Sequence, residues 1–232
     1  MFCPRDADCF PIGIIMRLRI DVISDVVCPW CFIGKRRLDR ALQLLGQDQE
    51  SQPVAAEVVW RPFQLNPQLL REGMPRSAYV AAKFGGRADE IYARVATVGL
   101  SVGIDFAFER IVRQPNTLAA HQLIELARGY GVQDQMVEAL FSGYFLEGKD
   151  LTQPAALIEL AQRAGIDGAR ARTYLDDDVQ RQFVREQDEE AREMGVAGVP
   201  FYIFGGQLAV SGAQEPEVLM RAIRQAAEEP VR

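Results

Sequence analysis

A chain of 232 residues is long enough for one large domain or two small ones, and its apolar fraction of 48% allows a sizeable core. With 26 basic against 32 acidic side chains, no basic run and no apolar stretch of membrane-spanning length, the sequence speaks against nucleic-acid and membrane partners. The four cysteines stand at positions 3, 9, 28 and 31. A scaffold stapled by disulfides would spread its cysteines along the chain, so this distribution suits a reducing compartment and a single reactive pair.

Residues 1–15 carry Pro4, Arg5, Asp6 and Asp8 where a secretion signal would have its apolar core. We therefore expect a cytoplasmic protein. Met16 directly precedes the first strand-like run, so residues 1–16 read as an arm or as a product of start-site choice. Cys3 and Cys9 fall within that arm and are either a second thiol pair or part of the same artefact.

Leu18 to Val27 alternates with β-branched enrichment and predicts a strand. Phe32, Ile33, Leu38, Leu42 and Leu45 recur at helical spacing, with Gly46 as the expected C-cap. Val54 to Leu65 predicts a second strand, and strand, helix, strand makes a right-handed βαβ unit with parallel strands. Periodicity near 3.6 then dominates. It predicts helices over Ser77–Phe84, Ala88–Val98, Thr117–Gly129, Gln133–Phe145, Pro154–Ala164 and Gly168–Leu175, followed by a charged helix over Asp177–Met194. Phe201–Phe204 and Gln207–Val210 flank Gly205-Gly206 as a hairpin. Glu215–Glu228 closes the chain as an amphipathic helix. The organisation is a discontinuous α/β domain over 17–72 and 177–232, interrupted by a helical insertion over 73–176.

Cys28-Pro29-Trp30-Cys31 lies where the first strand pattern gives way to the helix. A cysteine at that point meets unpaired backbone N–H groups and the positive end of the helix dipole, which favour the reactive thiolate. Cys28 is the expected nucleophile, and Cys31, one turn further on, the resolving thiol. A zinc half-site is the competing reading, but four ligands are needed and no second CxxC or histidine pair follows; no metal is expected. Pro29 removes one N–H donor, and Trp30 offers an apolar docking surface. Neither brings positive charge to the pair, so a moderate redox potential is expected. Asp25, three residues before Cys28, is either a turn-capping residue or a proton relay for the resolving thiol.

Three features together resemble the DsbA family of thioredoxin-fold proteins: the CxxC after the first strand, Gly198-Val199-Pro200-Phe201 before a later strand, and the helical insertion between the halves. Ser24 to Cys31 and Trp60-Arg61-Pro62-Phe63 are similar to the FrnE-like branch. The resemblance implies a thioredoxin-like α/β fold with an inserted all-α domain, and a thiol–disulfide oxidoreductase acting on protein or small-molecule disulfides. It implies a cis peptide bond before Pro200, facing Cys28 and Cys31, and an open backbone at Val199 for an extended substrate. Phe63, Asn116 and His121 are further candidates for the substrate-facing cleft, although a lone helical histidine is more often a structural residue. No cofactor is required, and glutathione is a possible co-substrate. A monomer or a homodimer is equally compatible. The same fold serves kappa-class glutathione transferases and 2-hydroxychromene-2-carboxylate isomerases, which characteristically use serine where this chain has Cys28. A non-catalytic binding module, using Trp30, Phe32 and Phe63, is the third reading.

Overall fold

The computed structural model describes residues 16–48 and 53–228. The expectations about the N-terminal arm, Cys3 and Cys9 lie outside the described residues.

Strand β1 (Met16–Ser24) runs parallel to β2 (Val54–Pro62), and the helix α1 (Pro29–Gln47) connects them. Strand β1 ends before Val26 and Val27, which turn into the main core at 1% and 5% exposure instead of extending the strand. Helix α1 also starts earlier than the apolar spacing indicates, with Cys28 at the N-cap and Pro29 in its first turn. Proline there loses no hydrogen bond, because the first-turn N–H groups have no intrahelical partner. At the other end, Gly46 continues the helix and Asp48 forms the cap, correcting the expected glycine stop.

A short ladder, β3 (Met74–Pro75) with β4 (Arg113–Gln114), brackets α2 (Arg76–Phe84) and α3 (Ala88–Ser101). Then follow α4 (Leu118–Gly129), α5 (Gln133–Phe145), α6 (Pro154–Arg163), α7 (Gly168–Leu175) and α8 (Asp178–Glu193). Strands β5 (Phe201–Phe204) and β6 (Leu208–Ser211) and helix α9 (Pro216–Glu228) complete the fold. The four-stranded sheet has the order β2-β1-β5-β6, with β5 antiparallel to β1. This is a thioredoxin-like sheet assembled from the two ends of the chain, with helices between.

Two devices hold the helical block against the sheet. Phe32, directly after Cys31, is fully buried and stacks on Phe141 of α5 at 5.0 Å between ring centroids. Behind it, Lys35 reaches Asp39 at 3.0 Å and Asp134 at 2.9 Å, while Arg36 grips Glu138 through two 2.6 Å bonds. The second device is Gln133. Its side chain accepts the Trp60 N–H at 2.9 Å and donates to the Trp60 carbonyl at 3.0 Å. Strand β2 is a sheet edge, and Gln133 satisfies its free backbone groups as a neighbouring strand would.

Candidate active site

Cys28 and Cys31 are free thiols at the junction of β1 and α1. The turn is closed by the Cys28 N–H donating to the Asp25 carbonyl at 3.0 Å and the Cys31 N–H donating to the Cys28 carbonyl at 3.0 Å. Cys28 is 6% exposed and Cys31 only 1%. The Val199–Pro200 peptide bond is cis, and the Cys28 thiol points at the Val199 carbonyl, 3.6 Å away. Residues 171 positions apart in sequence thus meet at one sulfur. Val199, Pro29 and Trp30 are half-buried around the pair.

Burial raises the Cys31 thiol well above its ordinary range, reinforced by the hydrogen bond and the charge of Cys28; hydrogen bonds from the Asp25 backbone and the Ser24 side chain pull weakly the other way. Cys31 is therefore held in its protonated form, while Cys28, at the helix mouth and beside the Val199 carbonyl, is the less buried of the two sulfurs.

Asp25 is fully buried. Its carboxylate accepts the Leu65 N–H at 2.7 Å through one oxygen. The other oxygen lies 3.4 Å from Nε2 of His121, and neither of those two atoms has a hydrogen-bond partner among the described residues. Helix α4 thus delivers the lone histidine to the side chain of the residue whose backbone closes the turn before Cys28. At 3% exposure, His121 faces Asp25 and is closed to substrate, which corrects its reading as a cleft-lining group.

Phe63 and Asn116 also depart from expectation. Phe63 is 3% exposed, packed in a small cluster with Ile23, Ala191 and Val196, and covered by the Arg192 guanidinium 4.2 Å above its ring. It supports the loop after β2 from within instead of offering a docking surface. Asn116 bridges: Oδ1 accepts from Gln64 Nε2 at 3.1 Å and from the Leu118 N–H at 3.0 Å, and Nδ2 donates to the Leu69 carbonyl at 2.7 Å. It thereby ties the 64–69 loop to the start of α4 and lines a separate cleft away from the thiols.

Two residues of the site escape sequence reasoning. Gly34, one turn beyond Trp30, lies against the cis-proline: a Cβ there would collide with Tyr202 Oη and sit 3.0 Å from Pro200 Cγ. Tyr202 is fully buried with its hydroxyl unpartnered among the described residues, and burial, then the charges of Cys31 and Cys28, raise its ionisation far above the usual tyrosine range. Strand alternation from Pro200 to Tyr202 to Phe204 puts Tyr202 on the inward face and is the one signal that could have singled it out.

The sequence profile of the DSBA-like thioredoxin domain matches residues 19–224. The chain belongs to that family. A probable DsbA oxidoreductase from Streptomyces coelicolor is 29% identical, with a TM-score of 0.81 over 93% of this chain and 92% of its own. The uncharacterized protein YwbO of Bacillus subtilis is 28% identical over 216 residues, covering 90% of this chain and 96% of its own. The cytosolic disulfide reductase DsbM of Pseudomonas aeruginosa, solved with GSH, shares the fold at 12% identity and a TM-score of 0.58, covering 90% of this chain and 96% of its own. In this DsbA-like chain the pair of cysteines, the cis-proline and the inserted helices stand in one arrangement. Among the described residues, no helix is long and apolar enough to cross a membrane.

Proposed function

We propose that this protein is a thiol–disulfide oxidoreductase that exchanges disulfides through Cys28 and Cys31. The observation that carries the reading is the Cys28 sulfur at the N-cap of α1, 3.6 Å from the carbonyl before the cis-proline, with the more deeply buried Cys31 bonded behind it. An extended substrate segment pairs with the Val199 backbone and brings its disulfide to Cys28. The Cys28 thiolate attacks one substrate sulfur, forming a mixed disulfide and releasing the other sulfur as a thiolate. Cys31 then loses its proton and attacks the Cys28 sulfur. The Cys28–Cys31 disulfide forms, the second substrate sulfur leaves, and two electrons have passed to the substrate. Run backwards from the oxidised enzyme, the same steps oxidise a substrate dithiol. The Asp25–His121 pair accepts the Cys31 proton in this scheme. A low-molecular-weight thiol such as glutathione serves as the reductant that restores the dithiol. Trp30 contributes apolar docking area. The text around Cys28 and Trp60 supports membership of the FrnE-like branch, and the confinement of cysteines to the first 31 residues supports a thiol-reducing, cytoplasmic setting.

The test is insulin reduction and dithiol oxidation by wild type, Cys28→Ser and Cys31→Ser. Cys28→Ser should be inactive, and Cys31→Ser should accumulate a covalent mixed disulfide with its substrate. Activity indifferent to both substitutions would end the proposal. Glutathione-dependent isomerisation preserved in Cys31→Ser would replace it with an isomerase. The binding-module reading loses support from the burial of Phe32 and Phe63, which leaves Trp30 as the one partly exposed aromatic of that trio.

A further inference from the structure

A cleft of about 400 Å³ opens between the loop after β2, the start of α4, the start of α6 and the facing ends of α7 and α8. Cys28, Cys31 and Pro200 are absent from its lining. Its apolar wall includes Leu118, Leu157 and Ile158, and Leu70 at its rim is 69% exposed. Arg71, Arg172, Arg181 and Arg185 also line the cleft, against a single acidic residue, Asp176. Arg181 is engaged, pairing with Asp178 and donating to the Leu175 carbonyl at 3.0 Å. The side chains of Arg71, Arg172 and Arg185 make no ion pair or hydrogen bond with any described residue. In a chain of net charge −6, four arginines against one aspartate in the lining of an apolar cleft make a local excess of positive charge.

We propose that this cleft binds an amphipathic anion, with an apolar body lying on the leucine wall and a carboxylate, sulfonate or phosphate head held by Arg172 and Arg185. The volume sits at the lower end of the range of about 300–1,000 Å³ typical of small-molecule sites, so the body is of medium length. Guanidinium groups present paired donors that match a planar or tetrahedral oxyanion. Covering Leu70 removes apolar surface from water, which supplies the remaining driving force. The site is distinct from the thiol centre and does not depend on the redox reading. The two are physically linked through Asn116, which lines the cleft and holds Gln64, next to the Leu65 N–H that binds Asp25.

Isothermal titration of decanoate into the full chain at low salt tests the proposal, with 1-decanol as the uncharged competitor. Wild type and Cys28→Ser should bind one decanoate with equal affinity, and 1-decanol should not displace it. The double variant Arg172→Gln/Arg185→Gln should bind about tenfold more weakly or worse, the loss of a charge-assisted contact. Both arginines are exposed, so an unchanged melting temperature is expected; should the double variant fold poorly, the single variants are read in the same way. Absence of saturable binding, equal affinity in the arginine variants, or displacement by 1-decanol would each overturn the proposal. Failure of the thiol assays would leave this result standing, since binding is read in the absence of Cys28.

Discussion

Replacing Gly34 by alanine sets two effects of known sign against each other. In an open helical position, glycine to alanine stabilises by about 0.5–1 kcal/mol, because the unfolded chain loses freedom. Gly46, near the end of the same helix, is such a position, with nothing within 4 Å of a built Cβ. At Gly34 the new methyl would overlap Tyr202 Oη and crowd Pro200 Cγ at 3.0 Å. Neither neighbour can yield easily. Tyr202 is fully buried and paired in the ladder opposite Val22, and Pro200 is a rigid ring whose carbonyl accepts the Gly212 N–H at 2.8 Å. Overpacking of this kind costs about 1–3 kcal/mol, and an overlap with a fixed ring belongs in the upper half of that range. The steric cost therefore wins, leaving Gly34→Ala destabilised by about 1–2 kcal/mol while Gly46→Ala gains up to about 1 kcal/mol. For a chain of this size each kcal/mol moves the melting temperature by about 2–4 °C, so the two variants should separate by several degrees in opposite directions from wild type. Thermal and urea unfolding of the reduced proteins measure it. A Gly34→Ala protein as stable as wild type, or shifted in the same direction as Gly46→Ala, would refute the close packing of α1 on the cis-proline strand. The displaced Pro200 should also slow the first attack on a disulfide, without abolishing it.

Four further outcomes are expected. In Cys28→Ala, burial alone still raises the Cys31 thiol above its ordinary value of 9.0, so iodoacetamide should label it slowly at neutral pH and faster as pH climbs past that value; rapid labelling at pH 7 would contradict it. The sign carries over to stability: a folded-state value above the unfolded one favours the reduced fold below about pH 9 and is lost as pH rises further, a loss that Cys31→Ser should not show. Asp25→Asn can still accept the Leu65 N–H, so the fold should survive, while resolution of the mixed disulfide slows by about 10²-fold or more and the first attack is unchanged in quenched-flow measurements. Gln133→Leu strips both partners from the Trp60 backbone and should cost about 2–4 kcal/mol in urea unfolding; a cost near zero would mean that water replaces the side chain at this edge.

Local chemistry explains which features were legible beforehand. The alternation in Leu18–Ser24, the 3.6-residue spacing from Phe32 onward and the proline in the first turn are properties of neighbouring residues, and they located the dithiol at a strand-to-helix junction without any knowledge of packing. Gln133–Phe145 and Gly168–Leu175 form at their expected bounds for the same reason. The ladder of Met74–Pro75 with Arg113–Gln114 was invisible, because two-residue strands have no period to detect. The bridging role of Asn116 was equally hidden: its side chain takes the Leu118 N–H, but its other bonds go to a loop some fifty residues earlier.

Sequence alone determined the cysteine pair, its place at the mouth of α1 and the order of strands and helices around a central run of helices, since each follows from residue type and short-range spacing. Tertiary structure alone decided what surrounds the pair. It brought the Val199 carbonyl to Cys28, set His121 against Asp25, buried Phe63 under Arg192 and required Gly34 to have no side chain. These are meetings of residues far apart in the chain. They are fixed by how the sheet closes between β1 and β5 and by how α4, α5 and α8 pack on its edge, and no local pattern records them.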